Sequence, residues 1–295
     1  MAIGLLLALP FWGEEGGACA QSPTRFSERI PRGPEQILQA HLEVVLGRVR
    51  LRPGAAEETL FAAEADLGQS GLRPQIQYQL VDGTGRLWLS MQDIDSGRDI
   101  RVGLRELFRL SKTHPSWELT LPVMLPLDLE LQLAAVEGRL DLGGLSLIRF
   151  ALESGASSLE IRLERPNPLI CESFRVRSGV SSLRAYGLGY ARARRYHIEV
   201  GLGSLELDFS GSLPEEVEIM LDTGMGRVTL YLPSDRHIEM RSAGGWLERL
   251  DLPDGFMRER GRWVYKPPRP SAGTLRLRLQ TGMGNILVRW ADEKR

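Results

Sequence analysis

The sequence predicts an all-β protein, a solenoid-like stack of repeated strands. Three observations carry that expectation. Apolar residues alternate in short runs, as they do in strands with one face turned inward. A tight Gly/Ser/Ala turn interrupts each run, and alternation resumes four residues past it. The turns fall at Gly47, Val136, Gly155, Gly179, Gly201, Gly224, Ala243 and Gly282, with spacings of 19, 24, 22, 23 and 19 residues from Val136 to Ala243. A period of about 20 residues with strand-type alternation belongs to stacked β architectures. If consecutive strands stack in parallel, the winding should be right-handed. The rival is a β-sandwich in which each glycine turn closes an antiparallel hairpin.

The elements follow from the same pattern. Leu42, Val44 and Leu46 alternate, then Val49 and Leu51. Phe61, Ala63 and Ala65 form a further half-buried run. Ile76, Tyr78 and Leu80 lead through Gly83-Thr84-Gly85 into Leu87, Leu89 and Met91, which reads as a hairpin. The stretch from Met91 to Pro115 reads as a loop with a helical turn. Trp117, Leu119 and Leu121 restart the strands, and the regular copies run from Leu127 to Leu232. Phe150, Leu152 and Ser154, then Leu159, Ile161 and Leu163, are one copy; Tyr196, Ile198 and Val200, then Leu205, Leu207 and Phe209, are another. An insertion at about residues 251–270 carries Phe256, Trp263 and Tyr265 as a two-stranded excursion. The last copy, Leu275 to Trp290, is expected to close the stack, with Ile286, Val288 and Trp290 packed inward.

Residues 1–20 read as a signal peptide, with an apolar run from Ile3 to Trp12 and Ala18-Cys19-Ala20 as the cleavage site. Lipidation of Cys19 is the alternative, which would make the chain a lipoprotein. Residues 21–35 are polar and proline-bearing and read as a linker. The body divides into 36–165 and 166–295, expected to be continuous. No apolar run reaches the length of about 20 residues that spans a membrane as a helix, so none is expected in the mature chain. Removal of Cys19 would leave Cys171 alone and no internal disulfide.

The chain has 295 residues, 42% hydrophobic and 25% charged, with a net charge of -1. That is the composition of a folded protein with a full core. The charge balance gives no support to nucleic-acid binding.

The first half carries a series of motifs: Leu42-Glu43-Val44 with Gly47, Ile76-Gln77-Tyr78 with Gly85-Arg86-Leu87, and Trp117-Glu118-Leu119-Thr120-Leu121-Pro122. Pro126-Leu127-Asp128-Leu129-Glu130-Leu131 and Leu140-Asp141-Leu142-Gly143-Gly144-Leu145 complete it. On these residues, Leu42 to Pro166 resembles the toast-rack family, bacterial proteins of unknown function. It departs from the family pattern at Ala134-Ala135-Val136-Glu137, where a Gly-rich turn is usual. The second half carries Asp222-Thr223-Gly224-Met225-Gly226 and Gln280-Thr281-Gly282-Met283-Gly284. It resembles the adhesin-like and envelope-stress domains of the cell-wall-antibiotic-response group. The resemblance implies an exported or envelope-associated β-solenoid; it brings no catalytic residues and no cofactor.

Three clusters are candidate sites. Asp93, Asp95 and Asp99 form a D-x-D-x-G-x-D segment with three carboxylates for a calcium ion, although no Glu closes it and the spacing is not the twelve-residue loop. Arg175, Arg177, Arg184, Arg192, Arg194 and Arg195 lie in a segment without acidic residues and suit an anion, unless carboxylates of neighbouring strands pair with them. Trp263 and Tyr265 with Arg260 and Arg262 suit a carbohydrate or anionic polymer, unless the aromatics fold back onto the stack. Histidines 41, 114, 197 and 237 are scattered without metal-type spacing. The serine-rich turns have no nearby His base.

The function expected is therefore that of a non-enzymatic exported envelope or secreted protein, an interaction scaffold or adhesin-like module. Its partner would be an envelope protein or an anionic or polysaccharide polymer. Two alternatives stand beside it. A polysaccharide-acting enzyme would need acid/base carboxylates gathered on one face. An accessory to envelope-stress signalling is the other.

Overall fold

Each regular copy of the repeat is one long strand bent in its middle. In the computed structural model, which describes residues 25–55, 58–68, 70–93, 114–243, 248–269 and 271–294, seven strands have this form. They are β2 (Ile37–Pro53), β7 (Leu127–Asp141), β8 (Leu147–Arg162), β9 (Ser173–Tyr186), β10 (Arg195–Asp208), β11 (Glu216–Leu232) and β16 (Thr274–Trp290). They stack in parallel in that order. Successive copies sit in phase: Phe150 lies opposite Phe174, and Phe174 opposite Tyr196. The fold is the stacked β-repeat. The antiparallel sandwich is set aside, because the repeat turns do not reverse the chain.

What looks like a tight turn in sequence is a corner within a strand. In β10 the buried apolar residues are Tyr196, Ile198 and Val200 before the corner and Leu205 and Leu207 after it. The ladder continues through it, with Val200 opposite Thr223 and Leu202 opposite Met225. The corner shifts the inward parity from even to odd, so the two half-strands become two walls around one apolar core. Gly203, Gly226 and Gly284 stand at φ 151, 155 and 151°, where a side chain would fall on the carbonyl oxygen of the neighbouring rung. Only glycine fits that close approach.

Between rungs the chain returns to the first wall. Phe209, in the return after β10, meets Tyr196 edge-on with ring centroids 5.2 Å apart. Phe150, Phe174 and Tyr196 continue as a column of rings 4.5 and 5.7 Å apart. Buried Asn167 ties the returns together: its Nδ2 donates to the carbonyls of Leu147 (2.7 Å) and Ala191 (3.1 Å), and its Oδ1 accepts from the Leu147 N–H at 2.9 Å. Arg236 plays a similar part, donating to the carbonyls of Pro214 (2.6 Å) and Leu213 (2.7 Å).

The outermost rungs are split at the corner. At one end β5 (Thr84–Asp93) pairs with the first half of β2 and β6 (Ser116–Leu121) with the second. At the other, β12 (His237–Ser242) and β13 (Glu248–Asp251) divide β16 in the same way. Antiparallel strands then cover them. β4 (Leu72–Val81) covers β5, β3 (Thr59–Asp66) covers β6, and β1 (Arg25–Pro31) covers β3. β15 (Arg262–Tyr265) covers β12, and β14 (Met257–Glu259) covers β15. The β4–β5 hairpin turns through Asp82 and Gly83 at φ 48 and 74°, the two positive values of a type I′ turn.

Two sequence expectations change here. The last copy does not close the stack: β16 lies between β11 and β12. The 21–35 linker contains β1, whose Phe26 and Ile30 pack on the core while its other residues are exposed, as an edge strand requires. No break separates 36–165 from 166–295, since β8 and β9 pair along their whole length. The insertion at 251–270 does contain a two-stranded excursion, β14 and β15. The leader and the helical turn expected before Pro115 lie outside the described residues. Among the described residues there is no α-helix, and no helix long and apolar enough to cross a membrane.

Candidate functional site

In-register parallel stacking places equivalent side chains of successive rungs about 4.8 Å apart. On the outer faces this arrangement builds charge ladders. On the first wall Arg177 lies between Glu153 (3.7 Å) and Glu199 (3.4 Å). Arg149 meets Asp128 at 2.5 Å, His41 meets Glu130 at 3.4 Å and His197 meets Asp222 at 3.4 Å. On the second wall Arg48 pairs with Glu137 (3.4 Å) and Arg139 with Glu160 (3.2 Å), which Arg162 of the same strand also meets at 2.5 Å. Arg50 and Arg52 share Glu118 at 3.6 and 3.3 Å. Most are exposed, so each contributes at most about 1 kcal/mol. The effect of the ladders is to pattern the surface.

Among the shallow concavities along these faces, two follow the ladders. One, of about 690 Å³, follows the corner of β2 to β9 on the first-wall side, lined by Val45, Ala134, Glu153, Gly155, Arg177 and Gly179 among others. The second, of about 500 Å³, crosses the second wall over Arg48, Arg50, Arg139 and Arg184, with Glu118, Glu137 and Glu160. Ser158 and Ser182 line it as well, in register with Ser204, whose hydroxyl lies 3.3 Å from that of Ser182.

The six arginines read from sequence do not meet. Arg175 and Arg177 lie on the first wall and Arg184 on the second. Arg192 turns back to donate to the carbonyls of Asn167 (3.2 Å) and Pro168 (3.1 Å). Exposed Arg194 precedes β10, and Arg195 opens it opposite Glu218. In the capping hairpin, Tyr265 is buried against Trp290 and Phe256 at 4.4 and 5.5 Å and donates to the Ser234 carbonyl at 3.0 Å; burial raises its phenol pKa. Trp263 is half-buried under the Arg258 guanidinium, 5.8 Å from its ring centroid. Arg262 pairs with Glu239 at 2.8 Å, and exposed Arg260 sits in the hairpin turn at φ 48°. The side chain of Asp93, at the end of β5, and the residues Asp95 and Asp99 lie outside the described residues. No group of three His, Cys, Asp or Glu suited to a metal ion occurs among the described residues.

Sequence reasoning passed over an exposed apolar row at the corners. Val180, Leu202, Met225 and Met283 are 53, 46, 47 and 44% exposed. The recurring Gly-x-Gly or Gly-x-Ser is its sequence signal.

Residues 20–184 match the family profile for the N-terminal domain of toast_rack, a domain of unknown function (DUF2154). The chain belongs to this family. The toast-rack match ends within β9, while the same stack continues beyond it. Among solved structures, a putative cell adhesion protein from Clostridium sporogenes is 18% identical, over 90% of this chain and 99% of that one, with a TM-score of 0.45. A putative adhesin from Bacteroides fragilis is 11% identical, over 91% and 99%, with a TM-score of 0.32. No curated protein matches the chain.

Proposed function

We propose that this toast-rack chain is a non-enzymatic, exported envelope protein that acts as an adhesin-like interaction scaffold. One observation carries the reading: two long outer faces on which charged and hydroxyl groups repeat in register from rung to rung. Such a surface matches a polymer with its own repeat better than a compact substrate. The cross-rung ladders engage Glu118, Glu137, Glu153, Glu160 and Glu199 with arginines, a use of carboxylates that differs from a catalytic acid/base pair. The second-wall concavity, over Arg50, Arg139 and Arg184, is the proposed track for an anionic or polysaccharide polymer. Export by cleavage after Ala20, or lipidation at Cys19, would bring the chain to such a partner.

Binding to purified envelope polysaccharides, wild type against Arg184→Glu, tests the track. The reading expects retention of the wild type and at least a tenfold loss in the variant. Release of reducing ends from the same panel, or no binding at all, contradicts it. Mass spectrometry of the protein from its host should show the mature chain beginning at Gln21 or at a lipid-modified Cys19.

A further inference from the structure

The corner residues form one line along the stack. Ala135 lies opposite Ala156, Ala156 opposite Val180, Val180 opposite Leu202, Leu202 opposite Met225 and Met225 opposite Met283. Side-chain size grows along it. β7 and β8 present alanine, Ala156 exposed and Ala135 half-buried. The four rungs beyond present Val, Leu, Met and Met, each between 44 and 53% exposed. Monomeric proteins leave single apolar residues on their surface, but a contiguous row marks a contact.

A second row runs beside it on the second wall: Glu137, Ser158, Ser182, Ser204 and Arg227, again in register. Glu137 and Arg227 carry opposite charges with three hydroxyls between them, and the row runs on to Arg48 and Asn285 on the rungs beyond. Glu137 is 70% exposed and already meets Arg48 of its own chain at 3.4 Å, so the partner's arginine would share it. Arg227 is exposed and has no ion pair among the described residues.

We infer that this line is a contact between two copies of the chain, packed corner to corner with their stacks antiparallel about a two-fold axis at Val180. The rotation sets Val180 against its own counterpart. It places Leu202 over Ala156 of the partner subunit and Met225 over Ala135 of the partner subunit, and each contact occurs twice. On either side of the Val180 pair large meets small, as close packing requires, and the outermost Met283 comes over the buried Leu46 of the partner subunit. A parallel pairing would instead stack Met225 on Met225 and alanine on alanine, crowding one end and leaving a gap at the other. The antiparallel rotation also brings Arg227 opposite Glu137 of the partner subunit, twice, with the serines between. Five rungs at about 4.8 Å make a strip about 24 Å long. With one row on either side it covers roughly 1,000 Å² over both copies, the lower bound for a specific interface. The dimer is therefore of the kind that dissociates on dilution.

Sedimentation velocity of the full chain over about a hundredfold concentration range tests this. The mass should rise from the 33.0 kDa of one chain towards twice that value. Leu202→Glu should hold it monomeric throughout, with the melting temperature that the wild type shows when dilute and monomeric, because the side chain is exposed in one chain. Met257→Glu, at another exposed methionine, should leave the dimer intact. Arg227→Glu should weaken the dimer, and adding Glu137→Arg to it should restore association. Val180→Cys should give a covalent dimer on mild oxidation, since a residue on the axis meets itself. A wild type monomeric at all concentrations overturns the inference. So does a dimer indifferent to Leu202→Glu, or one in which Leu202→Cys links to itself and Val180→Cys does not. Co-flotation of a monomeric chain with phospholipid vesicles, abolished by Leu202→Glu, would assign the row to a lipid surface and would likewise overturn it.

Discussion

In the middle of the stack, β7 to β11 each run through their corner as one strand, whereas the outermost rungs are cut there into β5 and β6 at one end and β12 and β13 at the other. A middle rung has a neighbour on both sides, so its corner must admit a carbonyl oxygen from the next rung, and in β8 to β11 Gly155, Gly179, Gly201 and Gly224 supply the space. An end rung has one such neighbour and must also stop the stack from growing. It does so with antiparallel strands that do not repeat the rung: β4 on β5, β3 and β1 on β6, β15 and β14 on β12. Open strand edges invite pairing with other chains, and this is how the fold blunts them. The comparison teaches that repetition stabilises the middle while departures from the repeat define the ends.

Truncation after Ser271 gives the largest expected effect, because it removes β16, an inner rung, and leaves β12 and β13 without their neighbour. The fragment should be insoluble or aggregated by light scattering. A soluble fragment that melts like the full chain would make β16 an appendage. Next comes a glycine pair. Gly226→Val sets a branched side chain onto the Gly203 carbonyl and should cost more than about 3 kcal/mol in denaturant unfolding. Gly261→Ala, in the capping hairpin at φ 79° with open space around it, should cost only about 1 kcal/mol from its backbone conformation. Equal costs would remove the distinction between middle and end.

The aromatic columns sharpen the same contrast. Phe174→Ala, in the fully buried middle column, should cost about 3–5 kcal/mol. Trp290→Ala should cost about 2 kcal/mol, because this half-buried ring stacks on Phe256 at 5.7 Å in the capped end. Cys171 lies within the middle, and burial pushes its thiol up to about 12. In a Cys19→Ser chain it should stay unreactive to a disulfide reagent at about pH 8 and titrate fully in denaturant. The smallest effect is Arg177→Gln, about 0.5 kcal/mol, since the ladder it leaves is exposed.

The middle was the legible part of the sequence. Burial of one face per half-strand writes alternation into the chain, and the parity shift at Gly201 or Gly155 records the corner. That a corner is not a reversal was hidden, because glycine serves both. Stack order was hidden too. The inward residues of β12, Ile238 and Met240, are of the same kind as Leu275 and Leu277 of β16, so either strand could lie beside β11. β1 passed for a linker because an edge strand keeps its exposed positions polar. The fate of Tyr265 depends on Trp290 in a different strand, and periodicity within one segment carries no trace of such a partner. The arginines from 175 to 195 are close in sequence, yet the corner between Arg177 and Arg184 sends them to different walls.

Disulfide trapping across the outer face tests the stack order most directly. Met220 lies opposite Arg278 where β11 meets β16, and Arg241 pairs with Arg278 from the far side. Met220→Cys with Arg278→Cys should oxidise readily to an intramolecular disulfide. Met220→Cys with Arg241→Cys should not, because the two positions are two rungs apart, about 9–10 Å, and a disulfide spans at most about 7 Å between Cα atoms. Ready closure of the Met220–Arg241 pair, with the Met220–Arg278 pair left reduced, would put β12 next to β11 and contradict a stack whose ends are set by split, capped rungs.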